Sequence, residues 1–259
     1  MEIVKTAIKV GNSAGVLLPR KWLNSQVRVI LEPLNIEADI LNILKEENIL
    51  KDSLGIYLFG SYAKNEQTID SDVDILVITN TLNKRFKNGK YELICVTRKE
   101  IERQLKENAL PILPILKEAK AIINQEFIKD YLSSPLTEKN LKWHVETTKS
   151  IMKVVEEDIV FSKEIRQEVS DASAYSLVLR LRTLYIIDCI KKDKPCDKKN
   201  FLKLIKKVSG TLGAYERYLS VKNKDTSDCR LKIEEADKLL YYINKKIMEL
   251  EKWLKEKKD

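Results

Sequence analysis

Two short apolar runs, Leu54-Gly55-Ile56-Tyr57-Leu58-Phe59 and Val73-Asp74-Ile75-Leu76-Val77-Ile78, flank a Gly60-Ser61 turn and an Asp72-x-Asp74 pair. Each run is short and rich in branched and aromatic side chains, which predicts a buried strand. Side chains alternate along a strand, so Asp72 and Asp74 project from the same side. Val73, Ile75 and Val77 then line one face, and Leu76 and Ile78 the other. A strand buried on both faces and opened by two acids belongs inside a sheet covered by other elements.

The residues between the strands carry chemistry. Gly60 has no Cβ and lets a phosphate approach the backbone closely. Ser61 is expected to cap a helix beginning near Tyr62, where hydroxyl and free N–H groups attract anions. Lys64 adds a cation for the same phosphates. Two neighbouring carboxylates raise each other's pKa unless a cation neutralises them. Hard oxygen ligands suit Mg²⁺, bound through carboxylates together with substrate phosphates. Either motif alone reads as a solvated turn; in this order, each after a strand, they read as a phosphate cradle beside a metal clamp.

Residues 54–79 resemble the DNA polymerase β-like nucleotidyltransferase superfamily, close to its minimal and kanamycin nucleotidyltransferase branch, and the resemblance extends over about 34–130. That family carries Gly-Ser, a spacer, Asp-x-Asp and a third acid on a later strand. Here the third acid is matched by Glu92 in Lys90-Tyr91-Glu92-Leu93-Ile94-Cys95-Val96; its alternative is a charge on an edge strand. Asn65 stands where the family has a glycine, and asparagine tolerates a left-handed conformation. The resemblance implies transfer of a nucleotidyl group, AMP from ATP or the corresponding group of another NTP, to a hydroxyl acceptor. Asp72 and Asp74 would bridge two Mg²⁺ ions, and Glu92 would hold the acceptor-side metal or take the hydroxyl proton. Gly60, Ser61 and Lys64 would bind the phosphates. A small molecule, a protein or an RNA end all remain as acceptors.

The expected fold is α+β, in three parts. A nucleotidyltransferase domain over 34–136 has a mixed β-sheet with flanking helices. A helix over 34–52 precedes the strands, and another covers 98–107. Pro111 and Pro114 mark a turn-rich connection before a last strand near Ala121-Ile122-Ile123. Ser133-Ser134-Pro135 reads as a linker and Thr137 as an N-cap. No glycine falls between Gly89 and Gly210, and residues 137–259 show helical periodicity, as in Leu177, Leu181, Leu184 and Ile187. Four or five helices in an antiparallel bundle follow. This pairing resembles nucleotidyltransferases joined to HEPN-type domains. Many HEPN ribonucleases carry an arginine four to six residues before a histidine; His144 has none, so it reads as structural and ribonuclease activity is not expected.

Residues 1–33 form a β-rich arm. Ala7-Ile8-Lys9-Val10-Gly11-Asn12-Ser13-Ala14-Gly15-Val16-Leu17-Leu18-Pro19-Arg20, with a strand over Val27–Pro33, resembles the swapped-hairpin domain of the AbrB/MazE class. One copy buries little core, so the resemblance implies a homodimer. Lys5, Lys9, Asn12, Arg20, Lys21 and Arg28 are candidates for DNA contact; a dimerisation arm without DNA contact is the alternative. A second functional class follows, a DNA-binding regulator or antitoxin of a toxin–antitoxin pair using the nucleotidyltransferase fold as sensor or scaffold.

Composition narrows the rest. Lysine and arginine number 47 against 39 acids, a net charge of +8, which favours anionic partners. Cys189–Lys207 holds eight lysines against Asp193 and Asp197, either a solvated helix face or a patch for a polyanion such as RNA. No apolar run of eighteen residues or basic-then-apolar leader is present, so neither a membrane span nor a signal peptide is expected. Cys95, Cys189, Cys196 and Cys229 are scattered and His144 is the single histidine, which argues against zinc and for a reduced, cytoplasmic protein.

Overall fold

The computed structural model describes residues 3, 5, 7–29, 34–68, 71–223 and 231–256. Two units emerge, Met1–Ile40 and Leu41–Asp259. In the first, β1 (Ile8–Val10) and β2 (Ser13–Gly15) form an antiparallel hairpin with Ile8 opposite Gly15. Gly11 takes φ 59° at its turn, a left-handed conformation that glycine adopts without strain. A 3₁₀ turn follows at Arg20–Trp22. Val27, Arg28 and Val29 lie in no strand, and the rest of the expected strand, residues 30–33 with Leu31, lies outside the described residues. The Lys9 side chain and Cys229 lie outside them as well.

Helix α1 (Ile36–Glu46) is shorter than the periodicity over 34–52 suggests. Asn48 takes φ 57°, which ends the helix and sends the chain into a 3₁₀ turn at Leu50–Asp52. Five strands then build the sheet: β3 (Ser53–Phe59), β4 (Val73–Thr79), β5 (Lys84–Asn88), β6 (Tyr91–Thr97) and β7 (Lys120–Ile123), in the order β5-β6-β4-β3-β7. Only β4 and β6 run parallel; every other pair is antiparallel. Central β4 is apolar on both faces, and Val73, Ile75, Leu76, Val77 and Ile78 are all fully buried. Edge strand β5, Lys-Arg-Phe-Lys-Asn, is charged, which protects an open edge from further pairing.

Between the strands lie α2 (Gly60–Lys64), α3 (Arg98–Glu107) and α4 (Leu113–Glu118), followed by α5 (Lys129–Leu132). Helix α4 corrects the expected turn-rich connection: Pro114 sits in its first turn, where no N–H is needed and the fixed φ suits a helix. The helical region comprises α6 (Glu138–Glu164), α7 (Asp171–Lys191), α8 (Lys198–Ser209), α9 (Gly213–Asn223) and α10 (Ile233–Glu256). Thr137 caps α6 reciprocally with Asn140. The buried Asn140 amide also donates to the Leu105 carbonyl at 2.8 Å, tying α6 to α3. One apolar core runs from Tyr57, Leu76 and Ile78 through Ile101 and Leu105 to Leu141, Leu177, Leu239 and Ile243.

His144 belongs to this packing. It is 9% exposed, and Asn108 Oδ1 accepts from its Nε2–H at 2.7 Å. Burial, aided by the Arg180 charge, lowers its pKa to about 4. An unfolded histidine takes a proton near 6.5. Folding therefore loses stability as pH falls from about 6.5 towards 4, by about 1.4 kcal/mol per unit, and the loss levels off below that. Urea midpoints across this range should fall more steeply for the wild type than for His144→Gln, by about 3 kcal/mol in total. Parallel curves would show that His144 is not held neutral.

Candidate active site

The acids gather because two strands run parallel in register. Asp74 on β4 lies beside Glu92 on β6, and Lys87 on β5 lies opposite Glu92. Period-two alternation puts Arg85, Lys87, Glu92 and Asp74 on one sheet face. Further along, the same face carries Leu76, Ile78 and Val96, which join the core. The carboxylates therefore stand where that face emerges from its apolar cover. On the other flank Asp74 pairs with Phe59, the last residue of β3, so the Gly60 turn begins next to it.

Gly60 is fixed by two constraints. Its φ is +70°, and a Cβ added there would lie 2.1 Å from Asp74 Oδ2. The glycine thus makes room for a carboxylate of its own chain, whatever else approaches. Ser61 is not the helix cap: α2 begins at Gly60, Phe59 is its N-cap, and no side chain caps it. Lys64 lies in the last turn of this five-residue helix. Asn65 ends it at φ 57° and ψ 35°, the left-handed geometry expected where asparagine replaces glycine.

Basic partners hold the outer acids. Lys87 Nζ lies 2.8 Å from Asp72 Oδ1, and Arg85 Nε donates to Glu92 Oε1 at 2.7 Å. The Asp74 carboxylate has no hydrogen-bond or ion-pair partner among the described residues. Burial pushes its carboxyl up to about 6, with Glu92, Asp72 and Glu118 adding to the shift and Arg85 opposing it. Burial, not the neighbouring acid, is thus the leading cause.

Glu118, at the end of α4, is the acid that sequence reasoning missed. Its Oε1 accepts from the Gly60 N–H at 3.2 Å, and its Oε2 pairs with Lys64 Nζ at 2.5 Å. Lys64 also donates to the Cys196 carbonyl at 3.3 Å. Arg85 and Lys87 were missed too, because Lys84-Arg85-Phe86-Lys87-Asn88 is charged along its length and shows no strand-like alternation. Among the described residues, no three His, Cys, Asp or Glu side chains form a ready cation cage. The donor set nevertheless suits a hard divalent cation: oxygen ligands on adjacent strands, the central one held above the usual carboxylate range. Of the DNA candidates, Asn12 lies in the hairpin turn, and Arg20 and Lys21 in the 3₁₀ turn, all within the first unit.

A mixed sheet that brings two adjacent acids and a Gly-Ser turn together defines the class. Residues 38–185, more than half of the chain, match the nucleotidyltransferase domain family, and the chain belongs to it. No curated protein matches the sequence. Among solved structures, a nucleotidyltransferase-like protein from Exiguobacterium sibiricum 255-15 is similar at 14% identity and a TM-score of 0.40, covering 83% of this chain and 75% of that one. The spectinomycin adenyltransferase AAD(9) from Enterococcus faecialis, solved with ATP and spectinomycin, is similar at 14% identity and a TM-score of 0.41, covering 82% and 98%. No helix among the described residues is long and apolar enough to cross a membrane.

Proposed function

We propose that the protein transfers AMP from ATP to a hydroxyl acceptor. The register pairing of Asp74 with Glu92, beside Asp72 and the Gly60-Ser61 turn, carries this reading. Asp72, Asp74 and Glu92 are the residues that would hold two Mg²⁺ ions. Bound there, the ions would neutralise the triphosphate and stabilise the attacking and leaving oxygens. Arg85 and Lys87 meanwhile supply the positive charge that Glu92 and Asp72 require.

Gly60 and Ser61 receive the terminal phosphates, and Lys64 joins them by exchanging Glu118 for a phosphate oxygen. Glu92 either holds the acceptor-side cation or takes the acceptor proton. The acceptor oxygen attacks the α-phosphorus, the bond to the β-phosphate bridging oxygen breaks, and pyrophosphate leaves. Purified protein incubated with Mg²⁺, each α-labelled NTP and cell extract should transfer label from ATP to one acceptor. Glu92→Gln should suppress the transfer while leaving ATP affinity nearly unchanged. Absence of transfer from every NTP would overturn the reading.

The arm supports a homodimer. Val10, Leu17, Leu23 and Val29 are 55%, 70%, 69% and 73% exposed, an apolar set that one short hairpin cannot cover. Light scattering should report a dimer for the full chain and a monomer after removal of residues 1–33. A monomeric full chain would reject this role. Lys9, Asn12, Arg20 and Lys21 then either contact DNA, as in a regulator or antitoxin, or stand beside a dimer seam only. The helical region is taken as a HEPN-like bundle without ribonuclease chemistry, because its histidine is buried and bonded to Asn108. Free thiols at Cys95, Cys189 and Cys196 suit a cytoplasmic enzyme.

A further inference from the structure

Helix α8 concentrates lysines on its exposed side. Some lysines elsewhere find acids, as Lys64 does with Glu118, Lys117 with Asp193, Lys163 with Asp237 and Lys192 with Asp188, and others, such as Lys51 and Lys153, are exposed singly. Lys198, Lys199, Lys203 and Lys206 are exposed and have no hydrogen-bond or ion-pair partner among the described residues. All four line one open groove of about 450 Å³ with Glu66, Leu202 and Leu212. Spacings of three and four place Lys199, Lys203 and Lys206 on one helix face, where like charges repel and weaken the helix slightly. A polyanion in the groove relieves that repulsion.

The groove leads towards the candidate site. Glu66 forms its rim, and the Glu66 N–H donates to the Ser61 carbonyl at 2.9 Å. Glu66 also borders the neighbouring cleft, which Lys64, Lys117, Glu118 and Cys196 line. The groove and this cleft thus share Glu66, and the cleft carries both lysines and acids, Lys64 with Glu118 and Lys117 with Asp193 among them. The apolar face of α8 is used internally by Phe201 and Ile205, which leaves Leu202 as the aliphatic side chain of α8 in the groove, too little apolar surface to insert into a lipid surface. An open, shallow groove bordered by four lysines, with Leu202 and Leu212 beside them, fits a phosphodiester backbone by charge.

We infer that the α8 groove binds single-stranded RNA and that an RNA end is the acceptor, an assignment of substrate class that rests on the nucleotidyl-transfer reading. The terminal ribose offers the hydroxyl. Its oxygen bonds to the α-phosphorus, the bond to the β-phosphate bridging oxygen breaks, pyrophosphate leaves, and the hydroxyl proton passes to a carboxylate of the site.

The test uses the full chain and a fluorescein-labelled 20-residue oligouridylate, read by anisotropy across a salt series without nucleotide. The wild type should bind, and binding should weaken steeply with salt. The K198Q/K199Q/K203Q/K206Q variant should bind at least about 30-fold more weakly. Its log–log salt slope should be shallower by about three, since each single-strand phosphate that a lysine neutralises adds about 0.7. Circular dichroism and ATP affinity should be unchanged, since none of the four residues is assigned to the site. Equal RNA affinity in the variant would overturn the inference. So would competition by tripolyphosphate at equal charge, which marks a small-anion site, or retention on anionic vesicles without RNA binding. Label transfer from α-labelled ATP to the oligonucleotide, abolished in the variant, reads the acceptor role. RNA binding without transfer to RNA by an enzyme that labels another acceptor would overturn that role, whereas absence of all transfer would strike the nucleotidyl-transfer reading while the groove stands.

Discussion

Asparagine at position 74 will cut nucleotidyl transfer by about a thousandfold or more, and the metal-free protein will melt at the same temperature or higher. The two effects come from one placement. Asp74 faces Glu92 across the parallel ladder, lies near Asp72 and Glu118, and is the acid without a partner of its own. Removing its charge relieves burial and repulsion together, which outweigh the lost attraction of Arg85. Catalysis loses the carboxylate that would neutralise the triphosphate through a bound cation. Single-turnover transfer of labelled AMP, with thermal melts with and without Mg²⁺, checks both parts. The wild type should gain melting temperature from Mg²⁺ with ATP, and Asp74→Asn should gain much less. Turnover retained in the variant would remove Asp74 from the chemistry.

The parts of this site visible in the sequence are those that local patterning determines. Strands β3 and β4 announce themselves because both faces of each are apolar, which no solvated segment shows. The face of Asp74 follows from alternation along β4, whereas Asp72 lies just before that strand, and Asn65 follows from its tolerance of positive φ. The helical character of this region is legible because buried positions recur at three and four, as Leu239, Ile243, Ile247, Leu250 and Leu254 do in α10.

What the sequence hides is pairing at long range and exceptions to local rules. Strand β5 is charged along its length and gains its order from the ladder with β6, so its side chains do not advertise it. Arg85 and Lys87 become partners of Glu92 and Asp72 only through that ladder. Glu118 reaches the Gly60 N–H across 58 positions, from a segment whose two prolines suggested a turn. Pro114 occupies the helix's first turn, where the rule against proline does not apply. Ser61 illustrates the converse: a serine next to a helix start predicts a cap, but the helix begins at the left-handed Gly60, two residues earlier than expected.

Alanine at position 60 will destabilise the fold by about 2–4 kcal/mol and disable the site as well. Part of that penalty is conformational, because φ +70° places an L side chain in the left-handed region, at about 1–2 kcal/mol. The rest is steric: the new methyl meets Asp74 Oδ2 at 2.1 Å and Asp74 Cγ at 3.0 Å. The short Asp74 side chain can relieve this only by moving its carboxylate off the Gly60 turn. Urea unfolding should show a lower midpoint with an unchanged slope, the signature of a less stable native state of the same compactness. Repeating the substitution in an Asp74→Ala background separates the two terms. With the carboxylate gone, Gly60→Ala should cost only the conformational part, about 1–2 kcal/mol, and the coupling between the two positions should equal the steric remainder. An undiminished penalty in that background would place the strain entirely in the Gly60 backbone. The turn would then owe its glycine to its own geometry, not to the acid beside it.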